Sequence, residues 1–330
     1  MKYKNNLVLI SVLILMMLLS GCATDNTENI DLEDLTEDYQ ESSDLPTYGL
    51  IAGFLNEEEM SKTFVGKPLS FEYSLFNPQS AAEWGIEVYI EGVLQTITVY
   101  SGDTLLAENT SMFVSYLDNQ ETLDLRIEFN PNIGDVGETL ELNVCSFLYP
   151  SYMVEGTENA SFLPYHRLSP GATMTISMQQ PCEDLVIIDG FDGTYKAVPL
   201  EIQNSFNSLN QFGDTVNTFD QELIFDVCKS SETDSTIQLD TADNIVKVFG
   251  YGKPGKYRIS VYVNNQLIRA FNNSCYCDVE IKKGQEFIID VPIDIKNQRN
   301  HIYVVAFDLE SNKEATNDYV KSNTKLLIKD

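Results

Sequence analysis

The sequence is poor in basic residues and in histidine. Its 330 residues include 21 Lys and Arg against 50 Asp and Glu, which gives a formal net charge of −29 at pH 7. Binding to nucleic acid needs a basic surface that neutralises phosphates, so this balance argues against a nucleic-acid partner. The same charge argues against electrostatic binding to anionic lipid.

Familiar catalytic and nucleotide-binding motifs are also missing. The sequence has no G-x-S-x-G nucleophile elbow, no P-loop and no glycine pattern of a dinucleotide site. Nothing in the spacing of Cys145 and His166 points to a nucleophile and its base. A pair of carboxylates could indicate a glycoside hydrolase site, but 50 acidic residues offer too many pairs for any one of them to be informative. The sequence therefore favours a protein that is not an enzyme, with a hydrolase of unrecognised site as an alternative.

A single long apolar run occurs, and it lies near the first residue. Two lysines precede the run Leu7–Leu19, and Leu19-Ser20-Gly21-Cys22 ends it. A run of about 13 residues is short for a membrane span of about 20 residues, but it suits a secretory signal peptide. The four residues that end at Cys22 resemble the lipobox of bacterial prolipoproteins, in which the cysteine is acylated before cleavage on its N-terminal side. The resemblance implies a signal peptide over 1–21 and a lipid on Cys22.

The same resemblance implies a location. Two or three acyl chains on Cys22, such as palmitate, would hold the protein on the extracytoplasmic face of the bacterial cell membrane, because each buried CH₂ contributes about 0.8 kcal/mol. The membrane is thus the first expected partner. An envelope or extracellular protein or glycan is expected as the second partner, and its identity stays open.

Basic residues are completely absent from the segment that follows Cys22. Residues 23–46 contain nine Asp and Glu residues and no Lys or Arg. Such a segment repels itself and has little apolar surface to bury, so we expect residues 22–46 to form a disordered acidic tether. Its contour length is at most about 80 Å.

Helical periodicity is missing after Pro46, and a period of two replaces it. Apolar and polar residues alternate in eight runs, which begin at Leu69, Ile86, Leu123, Leu140, Leu223, Ile259, Phe287 and Ile302. Turns rich in Gly, Asn and Pro separate the runs. Short strands at this spacing predict an all-β fold of two tandem immunoglobulin-like antiparallel β-sandwiches. We place the first sandwich at 47–180 and the second at 181–330.

Two segments indicate an internal repeat. Gly85–Leu94 aligns without gaps with Arg258–Leu267, and both carry the same apolar and tyrosine pattern. Each reads as a β-hairpin with a two-residue turn, at Glu91-Gly92 in the first copy and Asn264-Asn265 in the second. Whether the two sandwiches are true repeats stays open at this point.

Cysteines are few, and their number is odd once Cys22 is set aside. The remaining five are Cys145, Cys182, Cys228, Cys275 and Cys277. Cys275 and Cys277 lie two apart in a predicted strand, so their side chains share a face and are poorly placed to bond each other. Pairing of Cys145 with Cys182, or of Cys228 with either of the last two, stays open. At least one thiol remains free or pairs between chains.

No cofactor or metal site is predicted. A C-x-C pair needs further Cys or His ligands to hold zinc, and neither histidine is spaced to supply one. The segments Asp189–Gly193 and Asp308–Asn312 offer oxygen ligands, but they read as acidic turns rather than calcium loops. Calcium binding stays open.

The leading hypothesis is a lipid-anchored, non-catalytic binding or scaffolding module on the cell surface. Carbohydrate binding is the alternative, because the chain has 17 tyrosines and Trp84 lies near a predicted turn. An exposed coplanar row of aromatic rings would favour carbohydrate binding. A flat aliphatic patch or a bare edge strand would favour a protein partner.

Overall fold

The computed structural model describes residues 48–329, except 57–59, 158–159, 164, 183–184, 190–192, 210–214, 230–234, 240–243 and 311–318. The predicted signal peptide, the lipid site Cys22 and the acidic tether all lie outside the described residues. From Thr47 onward the chain forms one compact unit.

The first half of this unit is a two-sheet sandwich. Its described strands are β1 (Ile51–Phe54), β2 (Ser61–Phe64), β3 (Leu69–Asn77), β4 (Ala82–Ile90), β5 (Val93–Leu94), β6 (Ile97–Ser101), β7 (Thr104–Thr110), β8 (Phe113–Leu117), β9 (Glu121–Phe129), β10 (Thr139–Leu148) and β11 (Leu168–Met178). One sheet has the order β1-β3-β9-β6-β7, and the other has the order β2-β11-β10-β4-β5 with β8 beside β4.

The second half repeats this architecture. Its described elements are β12 (Ile187–Asp189), β13 (Thr194–Ala197), α1 (Leu200–Ser205), β14 (Asn207–Leu209), β15 (Thr215–Asn217), β16 (Leu223–Cys228), β17 (Thr236–Leu239), β18 (Ile245–Gly252), β19 (Gly255–Val263), β20 (Gln266–Leu267), β21 (Tyr276–Ile281), β22 (Gln285–Pro292), β23 (Arg299–Asp308), β24 (Tyr319–Lys321) and β25 (Lys325–Lys329). The large sheet has the order β12-β21-β19-β23-β25-β17, with β20 beside β19 and β24 beside β23, and the opposite sheet has the order β13-β22-β18-β16. A small separate sheet pairs β14 with β15.

The alternating residues of the sequence form the two cores. In the first sandwich Ile86 and Val88 of β4 pack with Leu125 and Ile127 of β9, and all four are fully buried. The second core is built in the same way from β18, β19, β22 and β23. The predicted all-β fold of two immunoglobulin-like sandwiches is therefore confirmed.

Strand order is the same in the two halves. The order β2-β11-β10-β4 in the first half corresponds to β17-β25-β23-β19 in the second. Both predicted hairpins form, β4–β5 and β19–β20. Their turns have positive φ at both central residues, 46° and 76° at Glu91-Gly92 and 50° and 58° at Asn264-Asn265, which is the type I′ geometry. No described sheet pairs a strand of one half with a strand of the other.

Two features differ from the prediction of purely antiparallel sheets. β2 lies parallel to β11, β12 parallel to β21, and β17 parallel to β25. The partners in each pair lie far apart in sequence, so no hairpin turn fixes their direction. The helix α1 also was not predicted, since it has six residues and none of them is buried, which leaves no apolar stripe to detect. Among the described residues, no helix has the length and apolar character needed to cross a membrane.

Candidate functional site

The strands β4 and β19 are buried on both faces. Ile86 and Val88 face the first core, whereas the alternate residues Glu87 and Tyr89 face the second sandwich and are at most 1% exposed. A separate buried cluster forms there, which we call the junction cluster. It consists of Tyr89, Leu94, Cys145, Phe147, Tyr262, Tyr303, Val305, Phe307 and Tyr319. The two sandwiches therefore share a third core.

Equivalent tyrosines of the two hairpins meet in the junction cluster. The hydroxyl oxygens of Tyr89 and Tyr262 lie 3.2 Å apart, and the Tyr262 ring stacks on Tyr303 with centroids 5.0 Å apart and an interplanar angle of 5°. Gly92 in the first turn approaches the second sandwich so closely that a Cβ there would lie 2.7 Å from Cβ of Phe307. The contact between the sandwiches is close-packed.

A buried carboxyl group lies beside these tyrosines. The Tyr89 hydroxyl donates to Oε2 of Glu87 at 2.8 Å, while Oε1 of Glu87 has no hydrogen-bond partner among the described residues. Burial raises the pKa of Glu87 to about 7, and the hydrogen bond from Tyr89 and the charge of Lys321 oppose that rise. Glu87 thus changes its charge near neutral pH.

Lys321 of β24 approaches the same region from the second sandwich. Its Nζ donates to the Ser322 carbonyl oxygen at 3.0 Å and to Oγ1 of Thr324 at 2.7 Å, and it lies 4.3 Å from the centroid of the Tyr303 ring. Burial lowers the pKa of Lys321 to about 7, although Glu87 and Asp226 favour its charged form.

The two histidines of the chain lie in contact at the edge of the junction. The rings of His166 and His301 are 4.6 Å apart between centroids. Nε2 of His166 lies 2.9 Å from the carbonyl oxygen of Tyr152, and Nε2 of His301 lies 3.0 Å from Oδ1 of Asn265. Because both oxygens are acceptors, each Nε2 carries the proton. Burial lowers the pKa to about 3 for His166 and about 4 for His301, so both rings are neutral.

Between β10 and β11, the described residues 149–157, 160–163 and 165–167 reach the second sandwich. Asn265 Nδ2 donates to the carbonyl oxygen of Pro150 at 2.7 Å, and an Arg299 nitrogen donates to that of Val154 at 2.6 Å. Hydrophobic contacts add to these bonds, since Phe162 packs with Leu326 of β25. We call this segment the crossing loop.

The crossing loop, β16 and the β24–β25 segment line an open cavity of about 600 Å³, which we call the junction cavity. This volume falls in the range of about 300–1,000 Å³ that small-molecule sites occupy. Its described lining residues are Ala160, Ser161, Phe162, Leu163, Tyr165, His166, Arg167, Leu168, Asp226, Ser235, Lys321, Ser322, Asn323, Thr324 and Lys325. Residues of both sandwiches therefore form one concave site.

The lining of the junction cavity has more cations than anions. Arg167, Lys321 and Lys325 line it together with a single described carboxylate, Asp226. Lys325 and Asp226 are paired at 3.0 Å, and both side chains are largely buried. The exposed guanidinium of Arg167 has no hydrogen-bond or ion-pair partner among the described residues. The cavity is thus locally positive in a chain with a net charge of −29.

Tyr165 lines this cavity, and three further partly buried tyrosines, Tyr48, Tyr149 and Tyr152, contact its ring. Tyr149 lies 5.4 Å from Tyr48 and 4.9 Å from Tyr165, and Tyr165 lies 4.4 Å from Tyr152, between ring centroids. The interplanar angles of these pairs are 80°, 70° and 50°. These rings therefore form a tilted group and not a coplanar row. Trp84 is buried in the first core at 5% exposure and is not available for stacking on a sugar.

The residues that the sequence singled out lie elsewhere. Cys22 is outside the described residues. None of the five cysteines in the described part forms a disulfide, so the pairings left open above do not form in this structure. Burial raises the pKa of Cys145, which packs in the junction cluster away from the cavity lining.

The described residues of the metal-site candidates are not assembled into a ligand set. No three His, Cys, Asp or Glu side chains converge within the described part of the chain. In the segment Asp189–Gly193 the three central residues lie outside the described ranges. Asp308 at the start of the other segment binds Nζ of Lys253 at 2.7 Å.

Sequence reasoning did not find the cavity residues. Arg167, Asp226 and Thr324 come from three separate parts of the chain, and none of them belongs to a motif. The sequence did contain a pattern that indicates the junction. In β23 the residues that alternate with the core residues are Tyr303, Val305 and Phe307, which are also large and apolar or aromatic. A strand with apolar residues on both faces is covered on both faces.

Comparisons with known proteins identify no family. No protein-family model and no curated protein matches the chain. Among solved structures, a CARDB domain of a Pyrococcus furiosus protein in complex with di-metal ions shares 14% identity at a TM-score of 0.23, covering 40% of this chain and 94% of that one. The E. coli chaperone DraB shares 11% identity at a TM-score of 0.25, covering 84% of this chain and 96% of that one. Similarity at this level carries no argument about function.

Proposed function

We propose that this protein is an extracytoplasmic lipoprotein, anchored through Cys22, whose two sandwiches form a non-catalytic binding module. The observation that carries the binding function is the junction cavity, which has about 600 Å³ and is lined by residues of both sandwiches. The proposal places the ligand between the crossing loop and the β24–β25 segment.

The walls of the cavity support a binding role because they are held in place before a ligand arrives. The crossing loop is bonded to the second sandwich through Asn265 and Arg299, and Ser322 on the opposite wall bonds to the backbone N–H of Val304 at 2.9 Å. A preformed site loses little conformational entropy on binding, which favours affinity.

The chemistry of the lining supports a role without catalysis. His166 is the described histidine of the cavity, and its low pKa makes it a poor base near neutral pH. Its Nδ1 has no hydrogen-bond partner in the described part, so no carboxylate orients the ring as in a catalytic triad. The hydroxyl of Ser322 accepts from Val304 and donates to the Asn323 carbonyl oxygen, so it is engaged by the backbone.

The anchor is tested by fractionating cells that produce the Cys22→Ser protein. Removal of the acylated thiol should move the protein from the membrane pellet to the soluble fraction after a high-salt wash. The matched control is Cys182→Ser, which changes a free thiol of the folded unit and should leave the protein in the pellet. Retention of the Cys22→Ser protein on membranes would refute the lipid anchor.

The cavity is tested by filling it. Ser161 is exposed and lines the cavity, so Ser161→Trp should occupy part of the volume without disturbing either core. Ligands are screened by isothermal titration calorimetry against the detergent-solubilised full chain, with neutral and acidic saccharides and envelope extracts as the panel. Ser205→Trp, on the exposed helix α1, is the control. A ligand bound equally by wild type and Ser161→Trp would place binding outside the cavity.

Carbohydrate binding is the second candidate, and the four tyrosines at and beside the cavity favour it. Partly exposed aromatic rings contact the apolar faces of sugars. Their tilt gives no flat platform, so the sugar would bind within the concave site rather than along a surface row. Loss of saccharide binding in Tyr165→Ala, with an unchanged melting temperature, would support this candidate.

The bare edge strand β7 supports a role in protein scaffolding. β7 forms an edge of its sheet, and Leu105 and Leu106 on it are 49% and 41% exposed. Exposed edges with aliphatic side chains accept added strands from other chains. A charged substitution, Leu105→Lys, separates the two candidates because it should weaken capture of a protein partner and leave binding in the cavity unchanged.

A further inference from the structure

We propose that the junction cavity binds the oxyanion group of a small ring-bearing acid, with Arg167 and Thr324 as the residues that contact this group. Lys321 acts as the positioning residue for Thr324. The inference names the ligand class of the proposed binding function and depends on that function.

The lining of the junction cavity carries an excess of positive charge. Arg167, Lys321 and Lys325 line the cavity, and the described lining contains one carboxylate, Asp226, which is already paired with Lys325 at 3.0 Å. Arg167 therefore remains a cation without a carboxylate in contact, and Lys321 adds a partial positive charge near neutral pH, because burial lowers its pKa to about 7. The rest of the chain is strongly acidic, so anions are repelled elsewhere and attracted here over a screening length of about 8 Å at physiological salt.

Arg167 offers hydrogen-bond donors to a ligand in the cavity. This side chain lies on the crossing loop directly after His166, and its guanidinium has no described hydrogen-bond or ion-pair partner. A guanidinium presents its N–H donors in a planar fork that fits a carboxylate or phosphate at two points. The backbone at this position is fixed, because the Arg167 carbonyl oxygen accepts from the backbone N–H of Leu148 at 3.1 Å. The donor group is therefore both available and held near the cavity.

Thr324 offers a second hydrogen-bond donor to the ligand. Its Oγ1 accepts a hydrogen bond from Nζ of Lys321 at 2.7 Å. The hydroxyl proton has no described acceptor and is therefore free to donate to a ligand. A hydroxyl that accepts from an ammonium group is a stronger donor, because hydrogen bonds in a chain polarise one another. Lys321 thus fixes the orientation of Thr324 and strengthens its donor.

The apolar part of the lining indicates what carries the oxyanion. Phe162 is 3% exposed and Tyr165 is partly buried, and both rings line the cavity next to Arg167. Aromatic walls favour a flat or ring-shaped body. A carboxylate and a phosphate on such a body offer the same oxygen geometry to Arg167 and Thr324, so experiment has to separate the two sources.

Four probes distinguish a carboxylate ligand from a phosphate ligand. Glucuronate, glucose 6-phosphate and glucose share one sugar ring, and inorganic phosphate has no ring. They are titrated into the full chain in detergent by calorimetry. We expect at least one of the two acidic sugars to bind at least about tenfold more tightly than glucose and inorganic phosphate, since charge-assisted hydrogen bonds are strong and the ring adds apolar contact. The stronger of the two identifies the oxyanion.

Arg167→Gln is the test variant and Arg269→Gln is the matched control. Both arginines are exposed, but among the two only Arg167 lines the described cavity. Arg167→Gln should weaken binding of the acidic sugar by at least about tenfold and should flatten its salt dependence. Arg269→Gln should change neither. Equal affinities for these two variants would overturn the assignment of Arg167.

The role of Thr324 and Lys321 is tested by rescue. Thr324→Val removes the hydroxyl at nearly constant volume and should weaken binding of the acidic sugar severalfold, while the affinity for glucose stays unchanged. Thr324→Ser should restore the affinity for the acidic sugar. Lys321→Met should reproduce the Thr324→Val loss in proteins that keep the wild-type melting profile. Binding of glucose as strongly as both acidic sugars would reject the charge inference and keep the binding function. Binding of no probe or extract component in the cavity would reject both.

Discussion

The sandwich cores and the junction between them are packed with different side chains. Each core is made of aliphatic and aromatic residues that alternate along the strands. The junction contains three stacked or hydrogen-bonded tyrosines together with Glu87, and Lys321 and two histidines lie at its border. Both regions are buried, but the junction and its border contain Glu87 and Lys321, whose pKa values are about 7, and two histidines with lowered pKa values, whereas the buried tyrosines of the cores have raised pKa values and stay neutral.

The two regions differ in how pH acts on them. An apolar core contributes the same free energy of unfolding at any pH, whereas a buried ionisable group changes its contribution wherever its folded and unfolded pKa values differ. Stability should therefore depend on the cores for its magnitude and on the junction for its pH profile.

The largest expected effect comes from the second core. Phe287 is fully buried and lies 5.5 Å from Phe225 between ring centroids. Phe287→Ala should lower the free energy of unfolding by about 4 kcal/mol, because it removes apolar contacts and leaves a cavity. Urea denaturation should show the same decrease in the free energy of unfolding at pH 5 and at pH 8. The control Leu200→Ala, at a 72% exposed site, should leave the free energy of unfolding almost unchanged. A loss that changed with pH would break the contrast between core and junction.

Close packing at the junction gives the next effect. Gly92 and Gly102 both have positive φ, 76° and 56°, but a Cβ on Gly92 would lie 2.7 Å from Phe307 whereas one on Gly102 would have no neighbour within 4 Å. Gly102→Ala should cost about 1 kcal/mol of backbone strain. Gly92→Ala should cost about 3 kcal/mol because overpacking is added. Equal losses in thermal denaturation would show that the sandwiches are not tightly packed there.

The histidines should make the folded state sensitive to acid. Their folded pKa values, about 3 for His166 and about 4 for His301, lie below the ordinary value of 6.5, so the unfolded chain binds more protons as pH falls below about 6.5. Each neutral histidine then lowers the free energy of unfolding by about 1.4 kcal/mol per pH unit until its folded pKa is reached. His301→Gln should reduce this slope in urea denaturation between pH 6.5 and pH 4.5. If His301→Gln left this pH slope unchanged, His301 would not be buried in its neutral form. Phe287→Ala is the control, because it should lower stability without changing the slope.

Glu87 should act with the opposite sign over a similar range. Its folded pKa of about 7 lies above the ordinary 4.5, so the folded state holds the proton longer and stability falls as pH rises from about 4.5 to about 7. Lys321, with its pKa lowered to about 7 from 10.5, should then add stability from about pH 7 upward. Glu87→Gln should remove the first slope of about 1.4 kcal/mol per pH unit and keep the Lys321 slope. Loss of both slopes would show that the two groups titrate as one coupled pair.

Alternation made most of the fold predictable from sequence. Runs such as Leu69, Phe71, Tyr73 and Leu75 became β3 because a strand with one buried face has a strict period of two. The turn residues Glu91-Gly92 and Asn264-Asn265 located both hairpins for the same local reason. Pairings between distant strands, such as β2 with β11, depend on the global fold and leave no local pattern.

The candidate site was beyond prediction for a related reason. Alternation assigns Glu87, Tyr89 and Tyr262 to the outer face of their strands, where polar residues need no partner. These outer faces are buried because the two sandwiches pack against each other. The spacing of residues in the sequence does not indicate that packing. Arg167 and Thr324 belong to different sandwiches, so only the fold brings them to one cavity. The prediction of a lipid on Cys22 is of another kind, because it rests on a contiguous motif and stays a prediction.

The contact between Tyr89 and Tyr262 has a consequence for symmetry. Because the two residues hold equivalent positions in the aligned hairpins, a residue meets its own equivalent here, as residues on the axis of a two-fold isologous interface do. At this contact the tandem chain resembles a covalently joined symmetric dimer. Symmetry is broken where Glu87 corresponds to Ser260 and where the crossing loop lies, and a site that needs different residues on its two sides can form only at such a break.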